Sequence, residues 1–74
     1  MILVTAFNVN KQAAVSVKQA DAQDAAKVAI SLAHKLPFIR IEDGAWRIVF
    51  PAHYPVSKAR LAHIIEHRAE VEFA

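Results

Sequence analysis

The N-terminal part of the chain carries the pattern of apolar and polar positions that a β-hairpin requires. The run MILVTAF is almost wholly apolar and is followed by the polar stretch NVNK at 8–11. Beyond it, Val15 and Val17 alternate with polar residues, which is the period of two of a strand with one buried face. We therefore predict two strands, within residues 1–9 and 13–18, joined by a turn at NVNK.

The stretch PFIRIEDGAWRIVFP predicts a second hairpin. Asp43 and Gly44 form the preferred residue pair for a two-residue type I′ turn between alternating runs. With that pair at the tip, Arg40 lies directly opposite Arg47. Like charges opposed on neighbouring strands destabilise a sheet by a few tenths to ~1 kcal/mol, and Glu42, diagonal to Arg47, offsets part of this.

The alternation in this hairpin separates two faces of the predicted sheet. The bulky set that must be core comprises Ile39, Ile41, Trp46, Ile48 and Phe50. The opposite set comprises Phe38, Arg40, Glu42, Arg47 and Val49. Lys18 falls on this second side if Val15 and Val17 face the core.

Between the two hairpins the pattern changes to the period of a helix. Asp21 is a good N-cap, Asp24 is favourable in the first turn, and Pro37 stops the helix. One side of this helix is rich in alanine, which allows close packing on a sheet. Its members are Ala22, Ala25, Ala26, Ala29, Leu32, Ala33 and Leu36.

A second helix is predicted from about Val56 or Ser57 to about Ala69, with Pro55 near its start. Its apolar side is expected to hold Leu61, Ala62, Ile64, Ile65, Arg68 and Ala69. Its opposite side is expected to hold His63, Glu66, His67 and Glu70.

The order β-β-α-β-β-α indicates the fold class. We predict an α+β protein, a single compact domain over residues 1–74, with one antiparallel sheet of about four strands and two helices packed on one face. The other face of the sheet stays uncovered and carries the basic residues.

Composition narrows the classes of protein that fit. The 74 residues are 55% apolar and 22% charged, which indicates a folded chain, and they include no cysteine. The lack of cysteine excludes disulfides and thiolate zinc sites and fits a cytoplasmic protein. MILVTAF is too short for a spanning helix and has no basic segment before it, so we expect neither a signal peptide nor a membrane partner.

The stretch HIIEH matches H-x-x-E-H, the inverted zinc-protease signature. Catalysis at such a motif needs a cleft and a third ligand from a distant segment. The helical pattern instead places His63 and His67 on the solvent side. Glu70 lies one turn further on, but a site formed by these three residues would have no surrounding protein to exclude water. We therefore predict no functional metal site here.

Other catalytic patterns are also missing from the sequence. The serines lack the flanking glycines of a nucleophile elbow, and the only glycine lies in the predicted hairpin turn, which leaves none for a phosphate loop. We predict a chain with no catalytic residue and no cofactor. A small toxin acting on RNA would need a shielded histidine, for which His34 and His53 are the candidates.

The uncovered sheet face is instead the predicted binding site. Its predicted partner-binding residues are Lys18, Phe38, Arg40, Arg47 and Val49. The net charge of +2 is too small for strong non-specific binding of nucleic acid. Any contribution of charge to binding must therefore come from the local placement of the cations.

A chain made of a hairpin, an alanine-rich helix that begins ADAQDAAKVA and the stretch IRIEDGAWRIVF resembles small phage-encoded anti-CRISPR proteins that inhibit type I RNA-guided surveillance complexes. The resemblance covers about residues 13–50 and leaves the C-terminal helix outside it. It implies a non-enzymatic inhibitor in the cytoplasm of a host bacterium. Such an inhibitor occupies the surface of a Cas subunit and blocks target recognition, with basic residues where nucleic-acid phosphates would lie.

Two alternatives stay open. The chain is a small nucleic-acid-binding module if Arg40 and Arg47 contact phosphates and Phe38 stacks on a base. It is a homodimeric interaction protein if an edge strand pairs with its copy, or if Phe38 and Val49 are buried between two copies.

Overall fold

The computed structural model describes residues 1–70, in which four strands and two helices follow one another as predicted. They are β1 (Ile2–Phe7), β2 (Ala13–Gln19), α1 (Ala22–Ala33), β3 (Phe38–Asp43), β4 (Trp46–Pro51) and α2 (Lys58–His67). The strands form one antiparallel sheet in the order β2-β1-β3-β4. The predicted α+β fold class is confirmed.

Both helices lie on one face of the sheet, here called the inner face. Helix α1 packs against β1, β2, β3 and α2. Three fully buried alanines, Ala25, Ala26 and Ala29, bring its backbone close to the strands. The inner face contributes Ile2, Val4, Ala6, Ile39, Ile41, Ile48 and Phe50 to the core, and α2 contributes Leu61, Ala62, Ile64 and Ile65.

The helix starts follow their capping residues. The Asp21 side chain accepts hydrogen bonds from the backbone N–H groups of Gln23 (2.6 Å) and Asp24 (3.4 Å), which satisfies two donors of the first turn. Ser57 does the same for the N–H of Arg60 at 3.1 Å. The predicted N-cap at Asp21 is therefore confirmed, and α2 begins close to its predicted start.

The end of α2 differs from the prediction. Arg68 does not extend the apolar side of the helix, because it has a left-handed backbone (φ 46°, ψ 46°) and forms the C-cap. Its side chain reaches Asp43 with a 2.6 Å contact between Nη2 and Oδ2. Nearby, the indole Nε1 of Trp46 donates a hydrogen bond to the carbonyl of Ala69 (3.0 Å), so the end of α2 is held against the β3–β4 hairpin.

The predicted pairing of β3 with β4 is wrong, because the turn lies one residue later than predicted. Asp43 pairs with Trp46, which makes Gly44 and Ala45 the loop residues. A type I′ turn on Asp43-Gly44 needs positive φ at both residues, whereas only Gly44 has it (φ 62°). Glycine at the first loop position is instead typical of a type II′ turn.

This shift changes which residues pair across β3 and β4, but it leaves their side chains on the predicted faces of the sheet. Each residue of β3 meets a residue two positions further along β4 than predicted, and side chains on a strand repeat every two residues. Arg40 therefore lies opposite Val49, and Arg47 lies opposite Glu42. The predicted opposition of two arginines does not occur.

Candidate binding face

The side of the sheet away from the helices, here called the outer face, brings all five predicted site residues together. Three rows of cross-strand neighbours describe it. The first row is Lys18, Leu3, Glu42 and Arg47. The second is Ser16, Thr5, Arg40 and Val49. The third includes Phe7, Phe38 and Pro51.

Arg40 occupies the centre of this face and is held there. Its Nε lies 2.9 Å from Oε1 of Glu42, but the N–H does not point at that oxygen, so the contact is an ion pair without a hydrogen bond. Its guanidinium carbon lies 4.9 Å from the centroid of the Phe7 ring, within cation–π range. Only 30% of the Arg40 side chain is exposed, so its charge is partly shielded from water.

A pocket of about 340 Å³ opens beside Arg40 on the outer face. Three apolar side chains and two cations line it: Phe7, Phe38, Val49, Lys11 and Arg40. Val49 is 53% exposed, while both phenylalanines are half-buried. The pocket therefore combines three apolar side chains with two positive charges.

Sequence reasoning did not single out Phe7 and Lys11. Because β1 is the strand between β2 and β3, apolar residues occupy both of its faces and its alternation is faint. The placement of Lys11 depends on the turn, where it has a φ of 63° and its N–H donates to the carbonyl of Asn8 (2.9 Å). The Asn8 side chain also accepts from the N–H groups of Asn10 and Gln12, which fixes the loop.

Lys18 and Arg47 lie outside the pocket, at the two ends of one row. Both are exposed. Neither forms an ion pair with any other residue of the described range 1–70, although Glu42 is the cross-strand neighbour of Arg47. Their charges are therefore available to a partner that spans the face from β2 to β4.

A second pocket, of about 360 Å³, lies at the β4 edge of the sheet. It is lined by Ala45, Trp46, Arg47, Ile48 and Glu70. Trp46 is half-buried and packs against the core, as its alternation with Ile48 predicts. Both polar and apolar groups line this pocket, and its two charged residues, Arg47 and Glu70, have opposite signs.

The histidines of HIIEH face solvent, as predicted. His63 and His67 are both exposed, with ring centroids 4.3 Å apart. Within residues 1–70, no group of three or more His, Asp or Glu side chains is placed to hold a metal ion. His34 and His53, the candidates for a shielded catalytic histidine, are exposed as well.

The chain matches no protein family model, no curated protein sequence and no solved structure. No helix in the described part of the chain is long and apolar enough to cross a membrane.

Proposed function

We propose that the chain is a non-enzymatic binding protein that docks through its outer face on a partner carrying an anionic group beside an apolar one. The pocket formed by Phe7, Phe38, Val49, Lys11 and Arg40 carries this proposal, because it sits on the face that both helices leave uncovered. Its volume falls in the range of about 300–1,000 Å³ that is usual for ligand pockets.

The side chains of the pocket suit a tight contact. Arg40 is already oriented by Glu42 and Phe7, so little rotamer freedom is lost when a partner binds it. Aromatic and arginine side chains are also the residues that most often dominate binding energy at interfaces. An acidic side chain or a phosphate would satisfy Lys11 and Arg40, while a neighbouring apolar group would cover Val49.

The finer form of the proposal is a phage-encoded inhibitor that acts in the host cytoplasm. Its partner is a Cas subunit of a type I surveillance complex, as the resemblance over residues 13–50 implies. Support comes from the spread of cations across the outer face, with Lys18 and Arg47 at its ends and Arg40 between them. Such a surface complements a subunit rich in acidic side chains, and the bound chain would exclude target DNA by its bulk.

The test measures target-DNA binding by a purified type I surveillance complex in the presence of increasing amounts of the chain. We expect inhibition by the unmodified chain and loss of inhibition in the double variant Lys18→Glu with Arg47→Glu. The matched control is Lys27→Glu with Arg60→Glu, because these cations are also exposed but lie on α1 and α2. Both double variants change the net charge by the same amount.

Equal inhibition by the two double variants would remove Lys18 and Arg47, and with them the spread of cations, from the proposal. No inhibition by the unmodified chain would remove the surveillance complex as the partner. The proposal of binding through the outer face would then rest on the nucleic-acid titration described below.

A single-stranded nucleic acid is the second candidate partner, and one observation favours it. Phe7 and Phe38 are direct cross-strand neighbours on the two central strands of an open sheet. Sheet-surface binders of RNA stack bases on aromatic side chains in such positions, with cations beside them for the phosphates. Here Lys11 and Arg40 line the same pocket.

Titration with a mixed-sequence single-stranded RNA at several salt concentrations separates the two candidates. A nucleic-acid binder should weaken steeply as salt rises and should lose affinity in Phe38→Leu, since leucine keeps apolar bulk but cannot stack. A stacking contact is worth about 1–3 kcal/mol per base. Absence of binding at low salt would exclude this candidate.

A further inference from the structure

The two edge strands of the sheet differ in how well they are protected from pairing with another strand. Each edge strand carries one exposed cation, Arg47 on β4 and Lys18 on β2, but β4 also ends at Pro51, and proline discourages pairing at an edge. Strand β2 has no proline, and the stretch from Ala13 to Val17 is uncharged. Val15 is 38% exposed there, although it points to the inner face.

We propose that β2 pairs antiparallel with β2 of a second copy of the chain, about a two-fold axis at Ser16. The result is a dimer with one continuous eight-stranded sheet. Ser16 is the middle residue of the strand Ala13–Gln19, so this register centres the contact on the strand. A two-fold interface uses one patch twice, which requires that patch to complement itself.

Side chains complement one another in this register. Val15 of each copy lies opposite Val17 of the other on the inner face, and β-branched cross-strand pairs stabilise a sheet. Ser16 meets its own copy on the outer face, next to the Thr5 hydroxyl, which already lies 3.4 Å from the Ser16 hydroxyl. Four hydroxyl groups, two from each copy, would then form one row across the interface.

Charge does not oppose this register. Lys18 lies opposite Ala14 of the second copy, so no like charges are opposed within the ladder.

A bulge limits the length of the ladder. Ala6 pairs with Val15 and Phe7 with Ala13, which leaves Ala14 without a partner on β1. The regular part of the edge is therefore centred on Val15, Ser16 and Val17. Because the axis stands perpendicular to the sheet, both outer faces end on the same side of the dimer and present two pockets to one partner.

Sedimentation equilibrium over a range of protein concentrations tests the dimer. We expect a mass of twice the 8.2 kDa of one chain. Val15→Lys should reduce the mass to that of one chain without unfolding it, because Val15 is partly exposed at the edge. The matched control is Val49→Lys, which places the same charge at an exposed valine on the other edge strand and should leave the dimer intact.

A cysteine variant tests the register. The chain has no cysteine, so Ser16→Cys can cross-link only to its own copy. We expect a disulfide-linked dimer after mild oxidation, and none with Ser31→Cys, an exposed position on α1.

Two results would overturn the inference. One is a single-chain mass up to a protein concentration of ~1 mM, where a dimer with a Kd of about 1 mM would be half formed. The other is a dimer that Val49→Lys breaks and Val15→Lys does not, which would place the contact on the outer face.

Discussion

The two faces of the sheet are built from alternate residues of the same strands, yet they differ in composition and exposure. Inner-face side chains on β1, β3 and β4 are apolar and almost fully buried under the helices, except for the half-buried pair Asp43 and Trp46 beside the hairpin turn. The outer face mixes apolar, aromatic and charged side chains and is covered by no element within residues 1–70. The comparison teaches that the inner face determines stability, while the outer face is available for binding.

Arg40 shows where the two roles meet. It lies on the outer face, yet only 30% of its side chain is exposed, and it contacts both Glu42 and Phe7. Arg47 lies on the same face but is exposed and forms no ion pair within residues 1–70. On the outer face, the central Arg40 side chain is therefore held by its neighbours, whereas Arg47 is free to contact a partner.

The largest predicted contrast is between Ile41→Ala on the inner face and Val49→Ala on the outer face. Ile41 has no exposed surface, so its truncation leaves a cavity and should lower the free energy of unfolding by about 2–5 kcal/mol. Val49→Ala should change it by no more than about 0.5 kcal/mol. Urea denaturation measures both, and Ile41→Val, expected to cost about 0.5–1.5 kcal/mol, replaces Ile41→Ala if that variant does not fold. Equal losses at the two sites would contradict the division of roles.

A smaller effect is expected at the contact between α2 and the β3–β4 hairpin. Trp46→Phe keeps an aromatic ring but removes the indole donor to the Ala69 carbonyl. We expect a loss of about 0.5–1.5 kcal/mol, the usual net value of a hydrogen bond, as measured by thermal or urea unfolding. An unchanged stability would show that solvent replaces this hydrogen bond without loss.

The smallest predicted effect separates the two arginines of the outer face. Arg40→Gln should cost about 0.5–1 kcal/mol, because it removes the ion pair with Glu42 and the cation–π contact, both reduced by partial solvent exposure. Arg47→Gln should stay within about 0.5 kcal/mol of the unmodified chain. Urea unfolding of the two variants side by side would contradict the distinction if Arg47 proved the costlier change.

Local patterns predicted the elements and the faces of the sheet because they depend on neighbouring residues alone. The N-cap at Asp21 and the solvent side of α2, with His63 and His67, are examples. The partners across the sheet were harder to predict, since they depend on which loop residue takes a positive φ. The assignment of Gly44 to the second loop position opposed Arg40 to Arg47, whereas the actual register opposes Glu42 to Arg47.

The five predicted site residues do lie on one face, but the pocket that three of them line could not be predicted from the sequence. It depends on the central position of β1, which brings Phe7 beside Phe38, and on the left-handed turn residue Lys11. Both follow from the order of the strands and the geometry of a loop. The alternation of apolar and polar residues carries no information on the strand order or on the loop geometry.

The most direct test of the outer face as the binding surface is cysteine footprinting with the purified type I surveillance complex. Val49→Cys reports on the outer face, and Ala59→Cys, exposed on α2, reports on the opposite side of the molecule. The alkylation rate of each variant is measured alone and with saturating complex. We predict strong slowing at position 49 and no change at position 59. Slowing at 59 alone would contradict binding through the outer face, and unchanged rates at both positions would contradict this complex as the partner.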